Sequence, residues 1–267
     1  MVGKHPGGND ICQCVAYARY ETLLPCDKIK LFWKEDVMEI YMHDVLRWAH
    51  VIFAAYWLGG EWGVYNASTN VANAKLALDD RLRHMETAYR IDILPRSSII
   101  WMLPVGFNMA NDLGLSPVSG VWVTVVWVAT AIWWCLIFAA FKNRGTKLGI
   151  KITEFDDKIR YFVIPSLWIL GGYTLVTGKL LFVGDDVGGT YWFATKLTFF
   201  GFIMIIGLLL RYIMKDWAVA FFRLREEGST PEIEYIFTST LAKARKLAYL
   251  YWVCIASMAF LGVTKPF

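Results

Sequence analysis

The sequence predicts an all-α polytopic membrane protein, a bundle of about six transmembrane helices whose first helix extends into the cytoplasm. Three observations carry that expectation. Of 267 residues, 57% are hydrophobic and 16% aromatic, whereas soluble domains are about 45–50% apolar. The excess gathers in blocks of roughly 18–25 residues, long enough to cross ~30 Å of hydrocarbon as helix. The connections between blocks alternate between basic and non-basic. A membrane barrel is excluded, because barrel strands are alternating segments of about ten residues.

Residues 1–40 read as an N-terminal juxtamembrane segment, and 41–267 as the membrane domain. The first segment is mixed polar and charged, without the apolar core of a signal peptide. It holds Cys12, Cys14 and Cys26 of five cysteines. C-x-C with one distant Cys is a poor match to zinc spacing, and the role of these three stays open.

The expected spans are 42–64, 96–114, 119–141, 161–183, 191–213 and 246–264. Span 1, "VLRWAHVIFAAYWLGGEW", is expected to run on as helix through 65–92. That stretch has no Pro or Gly, and Leu76, Leu82 and Met85 could share a face. Gly59 and Gly63 form a small-xxx-small pair for close helix approach. Pro95 is expected to restart the chain at the head of span 2. Pro104 and Pro165 fall inside spans 2 and 4 and should kink them.

Lys and Arg cluster after spans 1, 3 and 5, among them Lys75, Arg81, Arg83, Lys142, Arg144, Lys158, Arg160, Lys215 and Arg223. "GLSPVSG" after span 2 has none, and "GDDVGG" after span 4 is acidic. The positive-inside rule then puts the basic connections in the cytoplasm and both termini outside. For a bacterial inner membrane the outside is the periplasm. The N-terminal segment, with Lys4, Arg19, Lys28, Lys30 and Lys34, runs against that pattern. The net charge of +4 comes mostly from these loop cations and gives no argument for a nucleic-acid partner. The 13 Trp fit interfacial belts or a cofactor site.

Ionisable groups inside a membrane are expensive and are functional candidates by default. Two stand out. His50 lies ~12 Å into span 1 and Lys196 ~8 Å into span 5, counted as helix rise. Both spans start at the outer face in this topology, so the two fall at similar depth and point to one shared site. A neutral imidazole is a good axial ligand for haem iron. The plain alternative for His50 is a hydrogen bond between helices. Lys196 has several readings: a propionate partner, a second ligand if neutral, a contact for a substrate carboxylate, or a side chain reaching back to the interface. Trp57 and His43 lie seven residues either side of His50 on the same helical face. His43 is a further candidate metal ligand. Arg90 and Arg96 flank the start of span 2 and could bind propionate or lipid phosphate. Glu61 reads as a proton-path carboxylate or an interfacial acid. Asn108, Asn111 and Asp112 could line the His50 cavity, whereas His84 falls in the cytoplasmic stretch.

Four stretches together resemble one family. "RWAHVIFAAYWLGGEW" is similar to the first helix of the HemJ-type protoporphyrinogen oxidases, with an H-x6-W-x-G pattern at His50, Trp57 and Gly59. "METAYRIDILPRSSIIWMLPVG" resembles their next segment, here with Arg90 and Pro95. "YWFATKLTFFGF" resembles the later W-x3-K-L helix, at Trp192, Lys196 and Leu197, and "FLGVTKPF" the closing Lys-Pro-Phe. The first stretch is also similar to copper-resistance D-type membrane proteins and to the membrane part of haem-linked urate oxidases. The resemblance implies haem b on His50, Lys196 as the second functional residue, and oxidation of protoporphyrinogen or a related reduced donor. Electrons would pass to quinone or another membrane acceptor. The alternative is a non-catalytic electron-transfer or accessory subunit of a larger membrane complex. Membrane lipids are expected neighbours, and a homo-oligomer or complex an expected state. The N-terminal 40 residues and spans 3 and 4 depart from the family.

Overall fold

A computed structural model describes residues 26–189 and 191–266. The chain divides into two compact units, Met1–Met42 and His43–Phe267. Six helices follow in order: α1 (Cys26–Val71), α2 (Leu78–Asp112), α3 (Val121–Lys142), α4 (Lys147–Thr177), α5 (Trp192–Glu227) and α6 (Pro231–Thr264). Among the described residues there is no strand beyond one isolated bridge, Lys179 to Asp186, which closes the α4–α5 connection. The chain is an all-helical membrane bundle. Among the described residues four helices, α3 to α6, are long and apolar enough to cross a membrane. α1 and α2 pack into the same bundle and carry more ionisable residues in their middles.

Short connections make sequential helices antiparallel neighbours. α5 packs against α4, α6 and α2, while α3 bridges α2 and α4. α1 lies on α2 through Gly60 against Pro95 and Gly63 against Ile91. It reaches α6 through Trp57 on Tyr251 and Trp62 on Trp252. Local chemistry sets the helix ends. Thr146 caps α4 by accepting from the Gly149 N–H, and Gly178, left-handed at φ +70°, ends it. Thr230 caps α6 with Pro231 in the first turn.

Lipid tails are as apolar as leucine, so helix association in a bilayer rests on close packing and hydrogen bonds rather than on hydrophobic drive. The interfaces show this. A Cβ on Gly60 would meet Pro95 Cδ at 2.6 Å, and one on Gly201 would meet Trp168 Nε1 at 2.6 Å. The Trp168 indole donates to the Thr198 carbonyl of α5 at 2.9 Å. Large apolar side chains on the outside of α3, α4 and α6, such as Val121, Phe162, Val176 and Val253, stay exposed, as expected of a surface facing lipid.

Five expectations need correction. α1 passes the end of its apolar run but stops at Val71. A turn over 72–77, with Asn73 N–H bonded to the Asn70 carbonyl, breaks the helix expected through 65–92. The residues after it belong to α2, so Pro95 sits deep inside that helix rather than at its head. Its ring packs on Gly60, and Gly59 faces open space; the close-approach glycines are Gly60 and Gly63. Residues 214–245 are not a loop. α5 runs on to Glu227, 36 residues in all, or ~54 Å of helix, and α6 starts almost at once. Together with the end of α1 and the start of α2 they bury a second core of Val71, Met85, Trp217, Phe221, Ile233 and Phe237. Arg81, counted above as a loop cation, is buried there. It donates to the Val71 carbonyl and Glu234 at 2.8 Å each and covers the Phe237 ring.

Candidate functional site

His50 projects from α1 toward α2. Its Cε1 lies 3.7 Å from where a Cβ on Gly106 would stand. The ring is half-buried, and Nδ1 is fully buried with no hydrogen-bond partner. Buried polar atoms nearly always have one. Lys196 projects from α5 toward α6, where a Cβ on Gly262 would stand 2.8 Å from its Nζ. That ammonium lies 6.0 Å from the centroid of Trp192, and Lys265 approaches the same ring to 5.3 Å. The structure therefore brings these two candidates to one end of the bundle, each beside a glycine of the neighbouring helix.

The other candidates go elsewhere. Trp57 is 1% exposed and turns inward. Its indole N–H donates to the Tyr251 hydroxyl at 2.9 Å, and its ring stands edge-on to Phe200. His43 contacts Asp112 at 3.3 Å near the end of α2. Asn108 accepts from Trp127 of α3 at 3.4 Å. Arg90 is exposed and bonded to Glu86. Burial acts to raise the Glu86 carboxyl, but hydrogen bonds and charge from Arg90 and Arg144 outweigh it and hold the carboxyl below its ordinary value. Arg96 is paired with Asp92. Ten residues, ~15 Å of helix, separate Arg96 from Gly106 beside His50.

Toward the end with the α1–α2, α3–α4 and α5–α6 connections, the bundle holds a cavity of about 100 Å³. Glu61, Asp92, Arg96, Arg160, Arg211 and Tyr251 all line it. Behind it stands a buried ion network. Asp156 accepts from Trp133 Nε1 at 2.6 Å and from Arg211 at 2.6 Å, and Asp157 accepts from Arg211 at 2.5 Å and Lys215 at 3.2 Å. Arg160 lies 3.5 Å from Asp156. Asp156, Asp157, Arg160 and Arg211 are each at least nine-tenths buried.

This network does not stand out in the sequence, where Arg160 falls among the loop cations and Arg211 sits unremarked inside span 5. Two signals were there: Asp156 and Arg160 stand four apart, the spacing of a helical ion pair, and Arg211 interrupts "GLLLRYIM". Among the described residues no three His, Cys, Asp or Glu gather as a metal site. Cys12 and Cys14 lie outside the described residues. No protein-family model, curated protein or solved structure matches this chain.

Proposed function

We propose that the chain is an integral-membrane redox protein that holds haem b through His50. The observation that carries this reading is a half-buried imidazole, without a hydrogen-bond partner on its buried Nδ1, at the same end of the bundle as Lys196. The ring's other nitrogen, Nε2, is neither sealed nor hydrogen-bonded and is the one that would face iron, which one protein donor can hold axially. Lys196 supplies the cation for a propionate or for an anionic donor. Gly106 and Gly262 keep side chains away from both groups. The 100 Å³ cavity is not the haem pocket, since a 150 Å³ cavity takes only benzene. Arg96 and Glu61 belong to that cavity and are not assigned to haem here. When bound, haem supplies one-electron transfer. Quinone in the surrounding lipid is the natural acceptor.

Charge supports an orientation with the basic connections in the cytoplasm of a bacterial inner membrane and His50 toward the periplasm. Arg81 and Arg160 leave that count because they are buried in ion pairs. Lys75, Arg83, Lys142, Arg144, Lys147, Lys151, Lys158, Lys215, Arg223, Arg225 and Lys243 remain, against Lys179 alone in the α2–α3 and α4–α5 connections.

The purified protein, expressed with full haem supply, is expected to show a Soret band and sharp α and β bands on reduction. His50→Ala should abolish them. His84→Ala should keep them, because His84 lies near the start of α2, far along the helix from Gly106. A colourless wild-type protein sinks the reading. Turnover of protoporphyrinogen by the isolated chain separates an oxidase from an electron-transfer subunit.

A further inference from the structure

The inner cavity holds one acid that the ion network leaves out. Three arginines line it, and each has a carboxylate of its own. Arg96 pairs with Asp92, Arg160 with Asp156, and Arg211 with both Asp156 and Asp157. Glu61 lines the same cavity from α1, and among the described residues it enters no ion pair. It is half-buried, and its carboxyl oxygens, unlike Nε and Nη2 of Arg160, keep open surface. An ionised carboxylate in a low dielectric needs a cation or takes up a proton instead. Acids set inside membrane bundles in this way mark proton relays.

We propose that Glu61 is a proton-exchange site, reached by water through the cavity. A volume of about 100 Å³ is several times the roughly 10–15 Å³ that one water needs, so a short water chain fits against the carboxyl. The occupant is a proton rather than a metal ion or an amine. Three guanidiniums on the same wall repel a cation placed beside Glu61, whereas a proton is held in a covalent O–H bond. Asp92 faces Arg96, and the other ionisable wall groups, Tyr65, Tyr89 and Tyr251, are phenols. The Tyr251 hydroxyl accepts from the Trp57 indole N–H at 2.9 Å and keeps its own proton to donate. An indole N–H donates but does not accept, so exchange ends at Trp57, seven residues short of His50. The site therefore works without haem and stands or falls apart from it.

The test is infrared spectroscopy of the full chain in detergent at neutral pH, in ordinary and in heavy water. A protonated carboxyl has a C=O stretch well apart from carboxylate and amide bands. The wild type should show such a band, lost in alkaline buffer and shifted in heavy water, and Glu61→Gln should remove it. Glutamate isotope-labelled at its side-chain carboxyl should move the same band in the wild type, which assigns it without a substitution. Glu61→Gln should also leave the thermal midpoint at neutral pH within about 2 °C of wild type, because a neutral amide replaces a neutral acid. A larger fall, or loss of folding, would mark Glu61 as a fixed anion for the arginines and overturn the proposal. So would the absence of the band, its survival in Glu61→Gln, or a band unmoved by heavy water or by the label.

Discussion

Replacing Arg211 by methionine is expected to destabilise the protein by about 3–5 kcal/mol, the usual cost of removing one partner from a buried ion pair. Methionine keeps much of the side-chain length, so little of the loss comes from a cavity. Two short hydrogen bonds go at once, to Asp156 at 2.6 Å and Asp157 at 2.5 Å. Asp156 retains Trp133, but Asp157 is left with Lys215 alone, whose side chain is half-exposed. A buried carboxylate without its main cation is the mechanism of the loss. In a chain of this size the thermal midpoint should fall by roughly 6–20 °C, taking about 2–4 °C per kcal/mol. Adding Asp157→Asn to the same variant removes the stranded charge and should recover part of the fall. A single-variant shift within about 0.5 kcal/mol, the range of neutral surface changes, rules out a structural role for the network. Without recovery in the double variant, the stranded charge is not the cause.

The helices were legible in the sequence because lipid imposes a simple rule: a spanning segment must satisfy its backbone internally and be apolar along its length. α3 follows that rule most fully, and α4 to α6 contain long stretches that do. The same rule misled where it was read in reverse. Charged stretches look like loops by hydropathy, yet α5 and α6 continue as helices past their apolar parts because Trp217, Phe221, Ile233 and Phe237 give them a second core. Hydropathy does not report such a core, since its apolar residues are diluted by exposed Lys, Arg and Glu on the outer faces. The site divided in the same way. His50 and Lys196 were visible as single polar residues in apolar runs. Asp156, Asp157, Arg160 and Arg211 were not recognised, because their significance lies in pairing across α4 and α5. Gly60 and Gly63, rather than Gly59 and Gly63, mark the close face of α1 because facing direction depends on where α2 lies, and a lone helix sequence does not contain that.

The pairing of α4 with α5 gives the second large expected effect. Gly171→Ala should destabilise the protein by about 1–3 kcal/mol, the range for forcing atoms into a packed interior. Its neighbour Gly172→Ala should be neutral or stabilising by up to about 1 kcal/mol, the difference in helix propensity. The two glycines differ in what they face. A Cβ on Gly171 would stand 2.5 Å from Thr198 Oγ1, 2.7 Å from the Ala194 carbonyl oxygen and 2.9 Å from the Thr198 amide nitrogen. Two of those atoms are backbone, so no side-chain rotation clears the clash and the helices must part. Around Gly172 nothing lies within 4 Å, and an added methyl meets only the surroundings of the bundle. Parting α4 from α5 also strains Trp168 on Thr198 and, further along the same interface, Arg211 on Asp156. Gly171→Ala and Arg211→Met should therefore combine non-additively, the double variant losing less than the sum of the two. Thermal unfolding of the four proteins in one detergent measures this. Equal behaviour of the two alanine variants would mean that α4 and α5 do not approach as closely as their backbones stand here.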